Sequence, residues 1–297
     1  MSDKLRAYLY LHFCVFIWGF TAILGKLISL KTVPLVWWRV LLASGTLLLL
    51  IPPKQWTRLS KSLLLRLSGI GFLVAIHWLC FYGAIKLSNA SVAVATMATT
   101  SFFAALMEPL ILRQPIKWFE LGIGLLVLPG MALVVGNIDW GMRVGFAVGT
   151  AGALLAAIFS SMNKKLIERD PPPPLVMSLV ELSAATVTCS LLLPFLYQQT
   201  PDLQILPQGA DWYWLLLLAW VCTLLPYYLS LKAMKHVSAF SINLTLNLEP
   251  VYGILLAALV FREDKELNPN FYLGMAVILV AVFSHPFLKQ RFEPVKK

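Results

Sequence analysis

Charged residues are scarce in this sequence. They make up 13% of its 297 residues, whereas hydrophobic residues make up 59% and the mean hydropathy is +0.78. Soluble domains are about 25% charged and about 45–50% apolar, so a soluble fold could not hide this much apolar side chain from water. The composition therefore excludes an ordinary cytosolic enzyme, a secreted disulfide scaffold and a disordered chain. It predicts a polytopic membrane protein.

Cysteine is sparse too, and motifs for cofactors are lacking. The four cysteines, Cys14, Cys80, Cys189 and Cys222, fall within apolar runs and have no metal-ligand spacing. We interpret them as small apolar packing residues. No nucleotide-binding loop is visible, so ATP is not expected to act directly. No metal or other cofactor is predicted.

Long hydrophobic runs are what the sequence does have. A helix crosses a bilayer in about 20 apolar residues. We count ten such runs, at about 7–28, 33–52, 64–85, 90–112, 117–136, 142–163, 174–197, 211–231, 237–261 and 270–288. Because the alternating pattern of barrel strands is absent, the runs are predicted to be helices. The predicted fold class is an all-α polytopic membrane protein with ten transmembrane helices, numbered here as spans 1 to 10.

The basic residues are distributed unevenly between the two sides of these spans. With the N-terminus placed in the cytoplasm, 17 of the 24 lysines and arginines fall on the inner side and only six on the outer side. This bias predicts that both termini are cytoplasmic. The net charge of +10 is then a topology signal and an attraction to anionic lipid headgroups. Membrane lipid is an expected partner, and nucleic acid is not.

The two halves of the chain resemble each other. Residues 84–113 align without a gap onto 233–262, and the identical pairs are Ala84 with Ala233, Lys86 with Lys235, Ala90 with Ala239, Thr96 with Thr245, Leu106 with Leu255, Leu110 with Leu259 and Arg113 with Arg262. We predict a duplication into five-helix repeats at 1–140 and 141–297. Since five is odd, the second repeat is predicted to be inverted relative to the first. Such folds hold substrate near the midplane and work by alternating access.

Four short motifs are similar to those of one known family. They are Trp18-Gly19 in span 1, Arg39 in span 2, Ala84-Ile85-Lys86 through Ala90 at the span 3–4 junction, and Leu248-Glu249-Pro250-Val251 in span 9. On these the chain resembles the EamA-type drug/metabolite transporters, which have ten helices in two five-helix repeats. The resemblance implies export or import of small metabolites, often amino acids, across a bacterial inner membrane. Ser101 and Gln114 depart from it, where a proline and an acid are usual.

Glu249 is the sharpest candidate for a transport residue. It lies near the middle of span 9, where a carboxylate costs roughly 2.5–3.5 kcal/mol on insertion scales. Projected at about 100° per residue, Ser241, Thr245 and Tyr252 share its face and form a polar stripe. We interpret this stripe as part of the substrate path. The alternative is a protonated glutamate that hydrogen-bonds a neighbouring helix.

The repeat supplies a matching face on span 4. By the alignment, Thr96, Thr100 and Phe103 correspond to Thr245, Glu249 and Tyr252. Two polar faces related by symmetry predict a shared central cavity that carries an acid in one half only. Other candidates for its wall are His77, Trp78 and Tyr82 on span 3, Trp18 and Thr21 on span 1, Ser160 and Asn163 on span 6, and Tyr227 on span 8.

Three of these candidates leave alternatives open. His77 either relays protons or is a buried histidine bonded to a helix backbone. Arg39 and Glu181 lie roughly 10 Å inside opposite ends of the bundle, so they are not expected to pair. They are candidate gates, or else anchors that reach back to the interface. Near the end of span 4, Glu108 and Arg113 are predicted to form an interfacial pair.

These observations favour a secondary transporter of a small polar or amphipathic metabolite. Glu249 would bind a substrate amine or carry a proton, so protons are a candidate second partner. A monomer and a homodimer are both compatible with the sequence. One alternative is an integral membrane enzyme acting on a lipid or prenyl substrate, but such an enzyme needs a cluster of catalytic groups, and the acids here are scattered singly. A channel or receptor is the third hypothesis.

Overall fold

The computed structural model describes residues 2–136, 139–169, 172–200, 203–246, 248–262 and 269–292, and the regular elements in that part of the chain are helical. The helices are α1 (Asp3–Leu27), α2 (Thr32–Leu50), α3 (Pro53–Trp56), α4 (Lys61–Leu87), α5 (Ala90–Met97), α6 (Thr100–Leu112), α7 (Trp118–Gly136), α8 (Arg143–Arg169), α9 (Pro174–Gln199), α10 (Asp211–Leu216), α11 (Leu225–Ala233), α12 (Ala239–Leu246), α13 (Glu249–Phe261) and α14 (Pro269–Phe292). A 3-10 turn, Trp140–Met142, precedes α8, and a π-helical stretch, Leu217–Leu224, joins α10 to α11.

Seven of the described helical stretches are long and apolar enough to cross a membrane. They are Asp3–Leu27, Thr32–Leu50, Lys61–Leu87, Ala90–Leu112, Trp140–Arg169, Pro174–Gln199 and Asp211–Ala233. Shorter apolar helices cover Trp118–Val127, Tyr252–Phe261 and Tyr272–Ala281. The all-α prediction is thus confirmed for the described residues, while the count of ten spans stays a prediction.

At the start of several helices, a side chain accepts a hydrogen bond from a backbone N–H group that has no partner within the helix. The Ser2 hydroxyl accepts from the N–H of Leu5 at the start of α1, and the Ser60 hydroxyl accepts from Leu63 at the start of α4. The Asn89 side chain accepts from Val92 and begins α5. Each bond satisfies a donor that a helix terminus leaves open.

Two helices are interrupted at aligned positions of the repeat. The first gap, at residues 98–99, separates α5 from α6, and the second separates α12 from α13. Both following helices also end alike, because Arg113 and Arg262 are left-handed with φ of 59°. A left-handed residue closes a helix by returning its N–H to the last turn, here to Pro109 and Ala258. The backbone therefore repeats the pattern that the sequence alignment predicts.

Helix packing also reflects the duplication, because a contact between helices of different repeats recurs when the two repeats are exchanged. Helix α4 of the first repeat packs against α8 of the second, and the exchanged pair is α11 of the second repeat against α1 of the first. The pairs α2 with α9 and α7 with α14 each join equivalent helices. Close approach is set by glycine: a Cβ at Gly71 on α4 would overlap the Glu181 carbonyl on α9, and one at Gly149 on α8 would overlap Thr96 on α5.

Candidate functional site

A cavity of about 110 Å³ lies among α1, α2, α4, α5, α6, α8, α11, α12 and α13. That volume accommodates several water molecules or a small ligand. Its wall is formed by Trp18, Thr21, Arg39, His77, Trp78, Phe81, Met97, Thr100, Ala156, Phe159, Ser160, Asn163, Tyr227, Ser230, Leu231, Met234, Ile242, Asn243, Leu246 and Glu249. Both interrupted helices contribute at or beside their gaps, through Met97 and Thr100 and through Leu246 and Glu249.

Arg39 supplies a fixed positive charge to this wall. Its side chain is 2% exposed. Its Nε donates to the Thr223 hydroxyl at 2.6 Å, its Nη1 donates to the Tyr82 hydroxyl at 2.9 Å, and its Nη2 lies 3.5 Å from the Cys222 carbonyl. A guanidinium has five N–H donors, so these contacts orient it and still leave donors for the cavity.

Two further features hold the guanidinium in place. Its carbon lies 4.1 Å from the centroid of the Trp78 ring, within the range of a cation–π interaction. Its partners Thr223 and Cys222 both belong to the π-helical stretch Leu217–Leu224, and the Thr223 hydroxyl donates to Leu218 within that stretch. Because π-helical turns displace backbone and side-chain groups from the regular α-helical register, they often occur at functional sites.

Glu249 places a carboxyl group in the wall of the same cavity. It is the first residue of α13, directly after the gap in span 9, and is 8% exposed. Within the part of the chain that the structure describes, its carboxylate has no hydrogen-bond donor, and Arg39 is the charged group that acts on it electrostatically. The cavity wall therefore holds the Arg39 guanidinium and a carboxyl group that has no hydrogen-bond partner within the described residues.

His77 is held by the backbone of a neighbouring helix. Its Nδ1 lies 2.8 Å from the Gly152 carbonyl on α8. Because a carbonyl only accepts, Nδ1 carries the proton and Nε2 is left as an acceptor in the neutral ring. The ring also meets Phe159 edge to face at 5.4 Å between centroids. The backbone-bonded alternative for His77 is thus present, and the residue also lines the cavity.

A second carboxylate lies behind the cavity wall. Glu181 is fully buried on α9, and its Oε2 accepts from the Tyr227 hydroxyl and from Asn163 Nδ2. Glu181 Oε1 and Asn163 Oδ1 are buried without a hydrogen-bond partner in the described chain. Tyr227 and Asn163 face the cavity, so Glu181 positions two wall residues without lining the cavity itself.

The gate interpretation of Arg39 and Glu181 rested on a depth estimate that the structure corrects. The two residues do not lie near opposite ends: Arg39 lines the cavity, and Glu181 bonds two residues of its wall. Neither is an interface anchor, since both are buried. The depth of both residues was estimated by counting residues from the helix end. That estimate was wrong because it did not include the neighbouring helices that cover these positions.

Apart from Glu249, the residues of the predicted polar stripe on span 9 do not line the cavity. Ser241, Thr245 and Tyr252 are absent from the cavity wall, whereas Asn243 lines it. The Thr245 hydroxyl donates to the Ser241 carbonyl in its own helix, and the Tyr252 ring meets Phe16. The gap before Glu249 changes the helical phase, so one projection at constant angle cannot describe both halves of the span.

The matching face on span 4 is corrected in the same way. Of its three predicted residues, only Thr100 lines the cavity. The Thr96 hydroxyl donates to the Ala93 carbonyl and packs where Gly149 leaves space, and Phe103 packs against other apolar residues. Tyr82 likewise lies one layer back, where it accepts from Arg39.

Several wall residues were missed by the sequence analysis. Asn243 on α12 donates to the Ser160 hydroxyl on α8 at 2.8 Å. Phe81 and Phe159 add aromatic surface. Phe81 lies one turn beyond His77 and Trp78, and Phe159 precedes Ser160, so spacing from the predicted residues was a usable signal for both.

Polar contacts join the two repeats at both ends of the bundle. At the end where α1 finishes, Asp211 accepts from the N–H and the hydroxyl of Ser29 at 2.8 and 2.5 Å. At the opposite end, the carboxylate of Glu108 accepts from the N–H groups of Ala239 and Phe240 at the start of α12. Glu108 was predicted to pair with Arg113, and its bonds to α12 correct that.

Within the ranges described above, no group of three His, Cys, Asp or Glu side chains is placed to hold a metal ion.

The fold and cavity thus define a polytopic membrane protein whose buried site is shared by two repeats. The EamA-like transporter family model matches residues 5–136 and 143–287, one match for each repeat. The chain belongs to the EamA-like transporter family.

Comparison with solved structures agrees on the fold. One crystal structure has a TM-score of 0.71 and 14% sequence identity, and the match covers 97% of this chain and 99% of that chain. No curated protein matches this sequence.

Proposed function

We propose that this chain is a secondary transporter that moves a small metabolite across the membrane by alternating access. In this proposal ten helices form two five-helix repeats, inverted relative to each other, with both termini in the cytoplasm and the bacterial inner membrane as the location. The single observation that carries the proposal is the central cavity, because both repeats and both interrupted helices contribute to its wall. Interrupted helices near the midplane are where inverted-repeat transporters bind their substrates.

The charges of the cavity suggest the substrate class. Arg39 presents oriented N–H donors suited to a carboxylate, and Glu249 presents an acceptor suited to an amine. Trp18, Trp78 and Phe81 add apolar surface. Together these groups fit a small zwitterionic or amphipathic solute, with amino acids and related compounds as the leading candidates.

Alternating access requires contacts that open at one end while they hold at the other. The Asp211–Ser29 contact and the Glu108 contact with α12 each join residues of different repeats. Rocking of one repeat against the other would break one contact at a time, which supports the proposed mechanism.

Coupling to protons is part of the proposal. Glu249 would take up a proton when no substrate amine is bound, so that the carboxylate is never left charged and empty in the low-dielectric interior. Both a monomer and a homodimer remain compatible with this site, since the cavity lies within one chain. The alternative of an integral membrane enzyme has no supporting observation in the comparisons, which give a transporter family.

Transport by purified protein tests the proposal. The protein would be screened against a metabolite panel by thermal shift, and each hit would be measured as counterflow in proteoliposomes. We expect at least one zwitterionic metabolite to raise the melting temperature and to exchange across the vesicle membrane. Empty liposomes are the control. Single-channel currents would favour a channel, and turnover of a lipid or prenyl compound would favour the enzyme.

A further inference from the structure

A cleft of about 280 Å³ with a polar lining opens at the end of the bundle where α1 begins. Its lining consists of Lys4, Tyr8, Glu108, Gln114, Lys117, Lys164, Glu168, Lys235, His236, Val237, Ser238 and Ser241. Four lysines thus face two glutamates, and the cleft carries an excess of positive charge. This cleft is distinct from the central cavity, with which it shares no lining residue.

The two glutamates of the cleft are already engaged. The carboxylate of Glu108 accepts two backbone N–H groups of α12, and Glu168 lies 3.5 Å from Lys164. Lys117 lies 3.6 Å from Glu120 Oε1 on α7. Lys4 and Lys235 form no hydrogen bond or ion pair within the described residues. Lys4 and Lys235 therefore give the cleft positive charge that is not paired within the described residues.

An apolar groove of about 720 Å³ adjoins this cleft. It is lined by Lys117, Trp118, Phe119, Gly122, Ile123, Leu126 and Leu288, so Lys117 belongs to both the groove and the cleft. From Trp118 to Leu126 the groove follows α7 for about 12 Å toward the middle of the bundle. A Cβ built on Gly122 meets no atom within 4 Å, so the groove is open at this position.

We propose that the cleft and the groove together bind one anionic phospholipid of the leaflet at this end of the bundle. The phosphate would lie among Lys4, Lys117 and Lys235, and one acyl chain would lie along α7 over Gly122. Charge complementarity selects an anionic headgroup over a zwitterionic one, because basic pockets between transmembrane helices bind such headgroups. The apolar groove that continues from Lys117 favours a lipid over a free anion. This inference requires only that the chain spans a membrane and does not depend on the proposed transport function.

Native mass spectrometry of the full-length protein tests the proposal. The protein in detergent would be mixed with phosphatidylglycerol or phosphatidylcholine of identical acyl chains. We expect one retained phosphatidylglycerol and at least tenfold weaker retention of phosphatidylcholine. Each basic residue near a membrane surface contributes enough attraction for about a fivefold effect, so K4Q/K117Q/K235Q should lower phosphatidylglycerol retention by at least about tenfold. The matched control K54Q/R58Q/K61Q removes three exposed cations outside the cleft and should retain the lipid.

Separate variants test the proposed contact between the acyl chain and the groove. Gly122→Phe would place a ring in the groove, where a Cβ has open space around it, and should lower phosphatidylglycerol retention although every lysine remains. Gly69 on α4 also has open space around its Cβ position, so Gly69→Phe is the control and should leave retention unchanged. Equal helix content by circular dichroism establishes that the variants are folded.

Three outcomes would overturn the proposal. Equal retention of the two lipids would remove the headgroup selectivity. Loss of retention in the control triple variant to the same degree would show a general charge effect. Displacement of the lipid by millimolar inorganic phosphate, together with no effect of Gly122→Phe, would identify a site for free anions instead of a lipid site.

Discussion

The guanidinium carbon of Arg39 lies 4.1 Å from the centroid of the Trp78 ring. This stacking, together with the hydrogen bonds to Tyr82 and Thr223, fixes the orientation of the guanidinium in the cavity wall. A lysine at this position would keep the charge but lose the planar fork and the stacked contact. The geometry, and not the charge alone, is therefore the feature that a substitution should test.

We predict that Arg39→Lys weakens substrate binding by tenfold to about a hundredfold, since charge-assisted hydrogen bonds contribute about 1.5–3 kcal/mol each. Isothermal titration calorimetry with a ligand found in the metabolite screen would measure it. Arg66→Lys, at an exposed position on the same bundle, is the matched control. Unchanged affinity in Arg39→Lys would show that Arg39 acts through charge alone or does not contact substrate.

A second prediction concerns Glu249. Glu249→Gln keeps the shape of the side chain and removes its charge, so an amine on the substrate loses its ionic partner. We expect the initial transport rate in proteoliposomes to fall at least about tenfold and its dependence on the pH gradient to disappear. Glu168→Gln, which alters an exposed acid paired with Lys164, should transport normally. Normal flux with normal pH dependence in Glu249→Gln would exclude Glu249 from the mechanism.

The duplication could be predicted from sequence in more detail than the cavity wall could. Arg113 and Arg262 align in the sequence, and both are left-handed helix ends in the structure. The sequence Lys26-Leu27-Ile28 also matches Lys165-Leu166-Ile167. In the structure Lys26 lies over the Phe261 ring, and Lys165 donates to the Ile111 carbonyl. Aligned residues at two helix ends thus make aligned inter-repeat contacts, because a duplicated backbone places equivalent positions in equivalent surroundings.

The wall of the cavity could be predicted only in part. Pro250 favours a helix start near Glu249, but the first repeat is interrupted at the same position with Ser101 in place of the proline. The gap in α5–α6 is therefore set by packing as well as by local sequence. Since a helical projection assumes an unbroken helix, it placed Thr245 on the face of Glu249 and missed Asn243, whereas residues of the unbroken α8, Ser160 and Asn163, were placed correctly in the wall.

Close packing of α4 on α9 leads to a third prediction, about stability. A Cβ at Gly71 would overlap the backbone carbonyl of Glu181, whereas one at Gly69 would meet no atom within 4 Å. We expect Gly71→Ala to lower the free energy of unfolding by about 1–3 kcal/mol, as overpacking does. Gly69→Ala on the same helix should be neutral or stabilising by up to about 1 kcal/mol through helix propensity. Thermal unfolding in detergent, followed by circular dichroism, measures both, and equal melting temperatures would contradict the close approach.

The last prediction concerns the contact between Asp211 and Ser29, which joins the repeats at the end where α1 finishes. Its carboxylate accepts both the N–H and the hydroxyl of Ser29, so Asp211→Ala removes two charge-assisted bonds and Ser29→Ala removes one. Because each such bond contributes about 1.5–3 kcal/mol, we expect local opening to become about tenfold more frequent in Ser29→Ala and more frequent still in Asp211→Ala. Amide hydrogen exchange of residues 24–31 measures this opening. Exchange at the start of α12, where Glu108 holds the other end, should stay as slow as in the unmodified protein. Faster exchange at both ends alike would mean that the contact supports overall stability and does not hold one end closed.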